Sequence, residues 1–74
     1  MSDEVAAVFS ALFGREISPD SDFSMETEQE WDSMKHIEII MTLEEELDVS
    51  FDAADIPQLT SMQKIIRKVE ELKG

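Results

Sequence analysis

The sequence predicts an all-α fold, a small bundle of three main helices plus one short helix. Three observations carry this prediction. Apolar residues recur at three- and four-residue steps in three separate stretches. Each stretch is preceded by a Ser, Thr or Asp able to cap a helix start. No segment alternates apolar and polar residues with period two, so no sheet is expected. The 74 residues make a single domain. A chain of this size buries only about 60% of its unfolded surface, which leaves room for one small core and none for a deep catalytic cleft.

The first helix is expected over about residues 3–13, where Val5, Val8, Phe9, Leu12 and Phe13 share a face. Ser2 or Asp3 can cap its start, and Gly14 follows its last apolar residue as a C-cap. Residues 14–32 lose the periodicity, and Pro19 with its Ser and Asp neighbours reads as a long loop. That loop is longer than most structureless connections. Ile17, Phe23 and Trp31 are its candidate anchors to the core. A second helix follows over about 33–47, with Asp32 placed to cap it. Phe51, Ile56 and Leu59 then punctuate a segment in which Pro57 limits any helix to a turn or two, about 53–56. The last helix spans about 61–72. Thr60 or Ser61 caps it, and Met62, Ile65, Ile66, Val69 and Leu72 form its apolar stripe.

Charge bounds the function. The net charge is −12, and between Glu16 and Asp55 there are 14 acidic residues against one basic residue, Lys35. Such a surface repels nucleic-acid phosphates and anionic membranes and favours partners with basic patches. With no cysteine there are no disulfides, thiolate metal sites or cysteine nucleophiles. No apolar stretch approaches the roughly 18 residues of a membrane span, and the acidic N-terminus does not resemble a signal peptide, so a cytoplasmic monomer is expected. Asp20-Ser21-Asp22-Phe23-Ser24 briefly resembles a calcium loop. Met25 stands where such a loop needs Gly and Trp31 where it needs Glu, so no metal site is assigned.

The dipeptide Asp-Ser occurs twice. Asp20-Ser21 follows Pro19 and leads into no helical run, which is turn chemistry. Asp32-Ser33 opens the second helix. The first amides of a helix have no internal partner and carry the positive end of its dipole, so an anion attached there is stabilised. Ser33 is therefore suited to carry a phosphate, or serves only as part of a cap. It is poorly equipped for catalysis: the single histidine, His36, does not complete a triad, and no oxyanion glycine motif is present. His36, three residues on, could reach an attached phosphate or be a boundary histidine, and Lys35 could neutralise that phosphate or be solvated. No enzyme activity is expected.

The second helix carries more apolar surface than one packing stripe needs. Ile40, Leu43 and Leu47, with Ile39 beside them, form a row toward the core. Met34, Ile37 and Met41 form a second row flanked by Glu38, Glu44 and Glu45. As core, the second row is a wide buried face, the commoner arrangement. As surface, it is an apolar strip rimmed with acids that fits a basic, apolar partner groove, and its methionines would repack against several partners.

Asp32-Ser33-Met34, the helix ending Leu43-Glu44-Glu45-Glu46-Leu47, the turn at Phe51-Asp52 and the last helix after Leu59-Thr60-Ser61 together resemble an acyl carrier protein, over nearly the whole chain. The resemblance implies that Ser33, preceded by Asp32, carries a covalent 4′-phosphopantetheine donated from coenzyme A, whose thiol holds acyl or aminoacyl thioesters. It implies a phosphopantetheinyl transferase and loading and processing enzymes with basic docking patches as partners. By the same resemblance Met34, Ile37, Glu38, Met41, Glu44 and Glu45 match the family's recognition helix. Ile39, Leu43, Phe51, Ile56, Leu59 and Ile65 lie where members line the space that shelters an acyl chain. The approach Glu30-Trp31 and the pair Lys35-His36 depart from the fatty-acid-synthesis type, which has small residues before the serine and tends to acids after it. They look more like carriers of dedicated secondary-metabolite, aminoacyl or D-alanyl pathways. A housekeeping fatty-acid carrier and an unmodified acidic adaptor are the alternatives.

Overall fold

Residues 2–74 are described by the computed structural model. Their helices are α1 (Ser2–Phe13), α2 (Ser33–Leu47) and α3 (Met62–Lys73), with a 3₁₀ turn at Ile56–Gln58 before α3. Among the described residues the only β-pairing is an isolated antiparallel bridge between Ser24 and Ser61. The predicted all-α class is the one that forms.

Local chemistry sets the helix ends. Ser2 and Asp3, expected as caps, are already inside α1; the preceding residue lies outside the described residues. Asp3 and Glu4 occupy the first turn, where the dipole favours acids. At the other end Gly14 takes φ 68°, a left-handed conformation open to glycine at little cost, and Arg15 N–H reaches back to Ser10 C=O at 3.2 Å. Asp32 is extended, and its Oδ1 accepts the Lys35 N–H at 2.8 Å. At the close of α2, Asp48 adopts φ 53° and ψ 51°, and Val49 N–H bonds Glu44 C=O at 3.3 Å. This is the ending that Gly14 makes for α1, built here on a residue that tolerates the left-handed region less well. The Lys73 ammonium donates to Leu47 C=O at 2.7 Å, which puts a cation on a terminus otherwise crowded by Glu44, Glu45 and Glu46. Of the two candidates for the last cap, Ser61 is the one used: its Oγ accepts Lys64 N–H at 3.2 Å.

The short helix is displaced from the expected 53–56 to Ile56–Gln58. Residues 53–55 form a turn closed by Asp55 N–H to Asp52 C=O at 2.9 Å. Pro57 lies in the first positions of the 3₁₀ turn, where its missing N–H is not needed. A helix centred earlier would have asked Pro57 for a bond it cannot make.

α1 packs against both α2 and α3. One buried cluster joins Val5, Ala6, Phe9 and Phe13 of α1 to Ile39, Ile40, Leu43 and Leu47 of α2 and Met62, Ile65, Ile66 and Val69 of α3. Each such large side chain contributes about 1.5–3 kcal/mol on burial. The long loop is fastened into this cluster by aromatic rings. Phe23 meets Phe13 edge-on at 4.7 Å and Phe9 at 5.8 Å, and Trp31 meets Phe9 edge-on at 5.2 Å. Its backbone is stapled to the start of α3. Met25 N–H bonds Thr60 C=O at 3.0 Å, Met62 N–H bonds Phe23 C=O at 2.9 Å, and Gln63 Nε2 donates to Pro19 C=O at 2.6 Å. Ser10 Oγ holds the loop's entry by accepting Ile17 N–H at 2.9 Å. Arg15 adds an ion pair with Glu28 and lies over the Phe23 ring at 5.1 Å. The outcome is a braced platform from which α2 starts.

Candidate functional site

Ser33 is the first residue of α2 and is exposed. With Asp32 bonded to the third amide of the helix, the N–H groups of Ser33 and Met34 are left as its first two donors, without an intrahelical acceptor. A phosphate oxygen on Ser33 would meet them and the positive end of a 15-residue helix dipole. Ser21 has no such setting: its N–H closes a turn on Ser18 C=O at 3.0 Å.

Beside Ser33 lies a shallow cleft of about 390 Å³, lined by Met25, Ser33, His36, Ile37, Ile56, Pro57 and Thr60. It separates the first turns of α2 from the 3₁₀ turn. A second groove of about 370 Å³, between α1 and α2, is lined by none of the predicted site residues.

His36 lines the first cleft as a buried boundary histidine, and its ring nitrogens are taken up within the fold and not by a group on Ser33. It is 7% exposed, and both ring nitrogens are engaged. Trp31 Nε1–H donates to His36 Nδ1 at 3.1 Å, and His36 Nε2 lies 2.8 Å from Ile56 C=O. Because Nδ1 accepts from the indole, Nε2 carries the proton and donates to the carbonyl, which fixes the tautomer. The two rings stack at 6.0 Å. Each hydrogen bond is worth about 0.5–1.5 kcal/mol, and leaving one of these buried groups unpaired costs more than that. Three elements, the loop, α2 and the 3₁₀ turn, are thereby locked together. The Trp31–His36 spacing of five residues was a usable signal in the sequence; the Ile56 carbonyl, 20 residues away, was not.

Lys35 also departs from expectation. Its ammonium donates to Leu12 C=O at 3.3 Å, lies over the Phe13 ring at 5.5 Å and pairs with Glu38 at 3.7 Å. It serves as a cationic cap on the C-terminus of α1, not as a phosphate counter-ion. On the far side of the 3₁₀ turn, Lys68 pairs with Asp55 at 3.1 Å. The hydrogen bond to Asp55 raises the lysine above its ordinary pKa, against desolvation, with the Asp55 and Glu71 charges adding to the rise.

Met34, Ile37 and Met41 are 82%, 51% and 61% exposed, so the second apolar row of α2 is surface, not the wide buried face that is commoner for such rows. Glu38 and Glu45 flank it and are exposed. Glu44 is partly buried, and its Oε2 accepts Phe51 N–H at 2.8 Å; this carboxylate holds the turn after α2. Of the six residues expected around an acyl chain, Ile39, Leu43 and Ile65 are 0% exposed, Leu59 5% and Phe51 7%, all within the packed core. Ile56 alone among them lines the cleft beside Ser33.

A family model described as a phosphopantetheine attachment site matches residues 3–69, from the first turn of α1 almost to the end of α3. No curated protein and no solved structure matches the chain.

Proposed function

The chain belongs to the phosphopantetheine attachment-site family, and from that premise we propose that Ser33 bears the arm of an acyl or aminoacyl carrier serving a dedicated biosynthetic pathway. Covalent attachment of 4′-phosphopantetheine is the property of the family, and its carrier domains are typically non-catalytic. The observation that carries the assignment to Ser33 is its exposed hydroxyl on the first turn of α2, beside two helix amides with no intrahelical acceptor.

In the attachment reaction the Ser33 hydroxyl attacks the β-phosphorus of coenzyme A, and a phosphodiester forms. The pyrophosphate bond breaks, adenosine 3′,5′-bisphosphate leaves, and the transferase accepts the hydroxyl proton. This chain contributes the exposed nucleophile and the two amides that meet the phosphodiester. The residues Met34, Ile37 and Met41, with Glu38 and Glu45 beside them, supply an apolar and acidic strip for the transferase and for pathway enzymes with basic patches. Weak, charge-steered contacts of that kind suit a protein that must be passed between partners. A dedicated pathway, not housekeeping fatty-acid synthesis, is supported by Glu30-Trp31 before the serine and Lys35-His36 after it, where the fatty-acid type has small residues and tends to acids respectively.

Intact-protein mass after incubation with coenzyme A, magnesium and a broad-specificity phosphopantetheinyl transferase tests the reading. The expected result is one added phosphopantetheinyl group on the native chain and on Ser21→Ala, and none on Ser33→Ala. No addition to a folded native chain by several transferases would leave an acidic adaptor as the better reading.

A further inference from the structure

Resting on the carrier reading, we propose that the Trp31–His36–Ile56 chain is a bolt that closes the interior to the arm's cargo, making His36 a specificity-determining residue and restricting this carrier to short acyl or aminoacyl groups. The cleft beside Ser33 that reaches Ile56 is also lined by His36. An alkyl chain passing from the arm into the core would have to part α2 from the 3₁₀ turn. Those two elements are joined at that point by His36 Nε2–H donating to Ile56 C=O at 2.8 Å, and His36 is held in turn by Trp31 Nε1–H at 3.1 Å. Trp31 cannot yield alone, because it is 2% exposed and seated against Phe9 and Phe23.

Beyond the bolt lies the buried core. Ile39, Leu43, Ile65 and Met62 are 0% exposed and belong to one packed cluster. Entry would therefore strip the His36 Nε2–H and the Ile56 carbonyl of each other and displace close-packed side chains at once. A short acyl or aminoacyl group asks for neither. It has the shallow cleft over Met25, Ile37 and Pro57, or water. The bolt thus separates cargo by length before any partner enzyme reads its chemistry.

The test loads the full chain with butyryl- or lauroyl-phosphopantetheine from the corresponding acyl-coenzyme A, confirms loading by mass, and times thioester cleavage by hydroxylamine. On the native chain the two thioesters should be cleaved within about twofold of each other, because neither is drawn into the core. In His36→Leu, which deletes both hydrogen bonds, the lauroyl thioester alone should become about tenfold slower, a sheltered fraction near nine-tenths. Trp31→Phe, which removes the indole donor and keeps a ring, should move the lauroyl rate in the same direction. If the variants fail to fold, the native chain still decides. Its single tryptophan gives one indole N–H resonance, which should keep its shift and slow exchange when lauroyl is loaded. A lauroyl thioester about tenfold protected on the native chain, or an indole N–H released to solvent by loading, overturns the bolt while leaving the carrier reading intact. A folded chain that accepts no arm overturns both.

Discussion

Ile39, Ile40, Leu43 and Leu47 line one face of α2 and are between 0% and 5% exposed, whereas Met34, Ile37 and Met41 line the neighbouring face at 51–82%. Both rows obey the same helical spacing, and both are apolar. What separates them is what lies opposite. α1 and the buried cluster cover the first row, and among the described residues the second is left largely exposed. The residue types differ accordingly. The inner row is all branched aliphatic, with few rotamers to lose on packing, while the outer row uses two methionines, which adapt to more than one surface. An apolar row left in water forgoes roughly 25 cal/mol per Å² of possible burial, and that unspent free energy is available to a partner.

Replacing residues on each face, and at the ends that set the helix's rotation, probes the contrast. The largest effect is expected from Leu43→Ala, which should cost about 2–5 kcal/mol in urea unfolding by leaving a cavity in the inner row. A loss under about 1 kcal/mol would mean the core is looser than its burial implies. On the outer side Glu45→Lys should slow phosphopantetheinyl transfer about tenfold, or about 1.4 kcal/mol, with the unfolding midpoint unchanged. Added salt should narrow that gap, since the contact is exposed. Asp32→Ala removes the cap and should cost about 1 kcal/mol of stability, read from the same urea curves. Asp48→Gly should act in the opposite sense and raise stability by up to about 1 kcal/mol, because glycine takes φ 53° without the side-chain penalty and a negative charge leaves a helix C-terminus. Met34→Gln, on the most exposed apolar position, should shift stability by no more than about 0.5 kcal/mol. A larger destabilisation there would show the outer face to be covered after all.

The helices were legible because they rest on short-range information. Apolar spacing located α2 and α3, and the cap at Asp32 needs only the amide three residues on. The placement of Ser33 at a helix start was legible for the same reason, since its difference from Ser21 is whether a helical run follows. Spacing could not say which row of α2 is covered, because a periodic stripe records a face and not its neighbour. His36, Lys35 and Glu44 were the least readable residues. Each finds its partner through the tertiary fold, at Ile56, Leu12 and Phe51 respectively. The short helix shifted because Pro57 was read as a stop when it acts as a start.

The staple between the long loop and α3 has a consequence in time. Gln63 reaches back 44 residues to Pro19 and 42 to Ser21, and Ser24 is bridged to Ser61. During synthesis the loop that braces α2 can meet α1 early but lacks its α3 staples until the opening of α3 has left the ribosome, since chains emerge from the N-terminus at about 5–20 residues per second. A nascent chain ending before residue 60 holds Ser33 and the α1 side of the platform beneath it but not the α3 side. Ser33 thus stands on a fully braced helix only after translation has delivered α3.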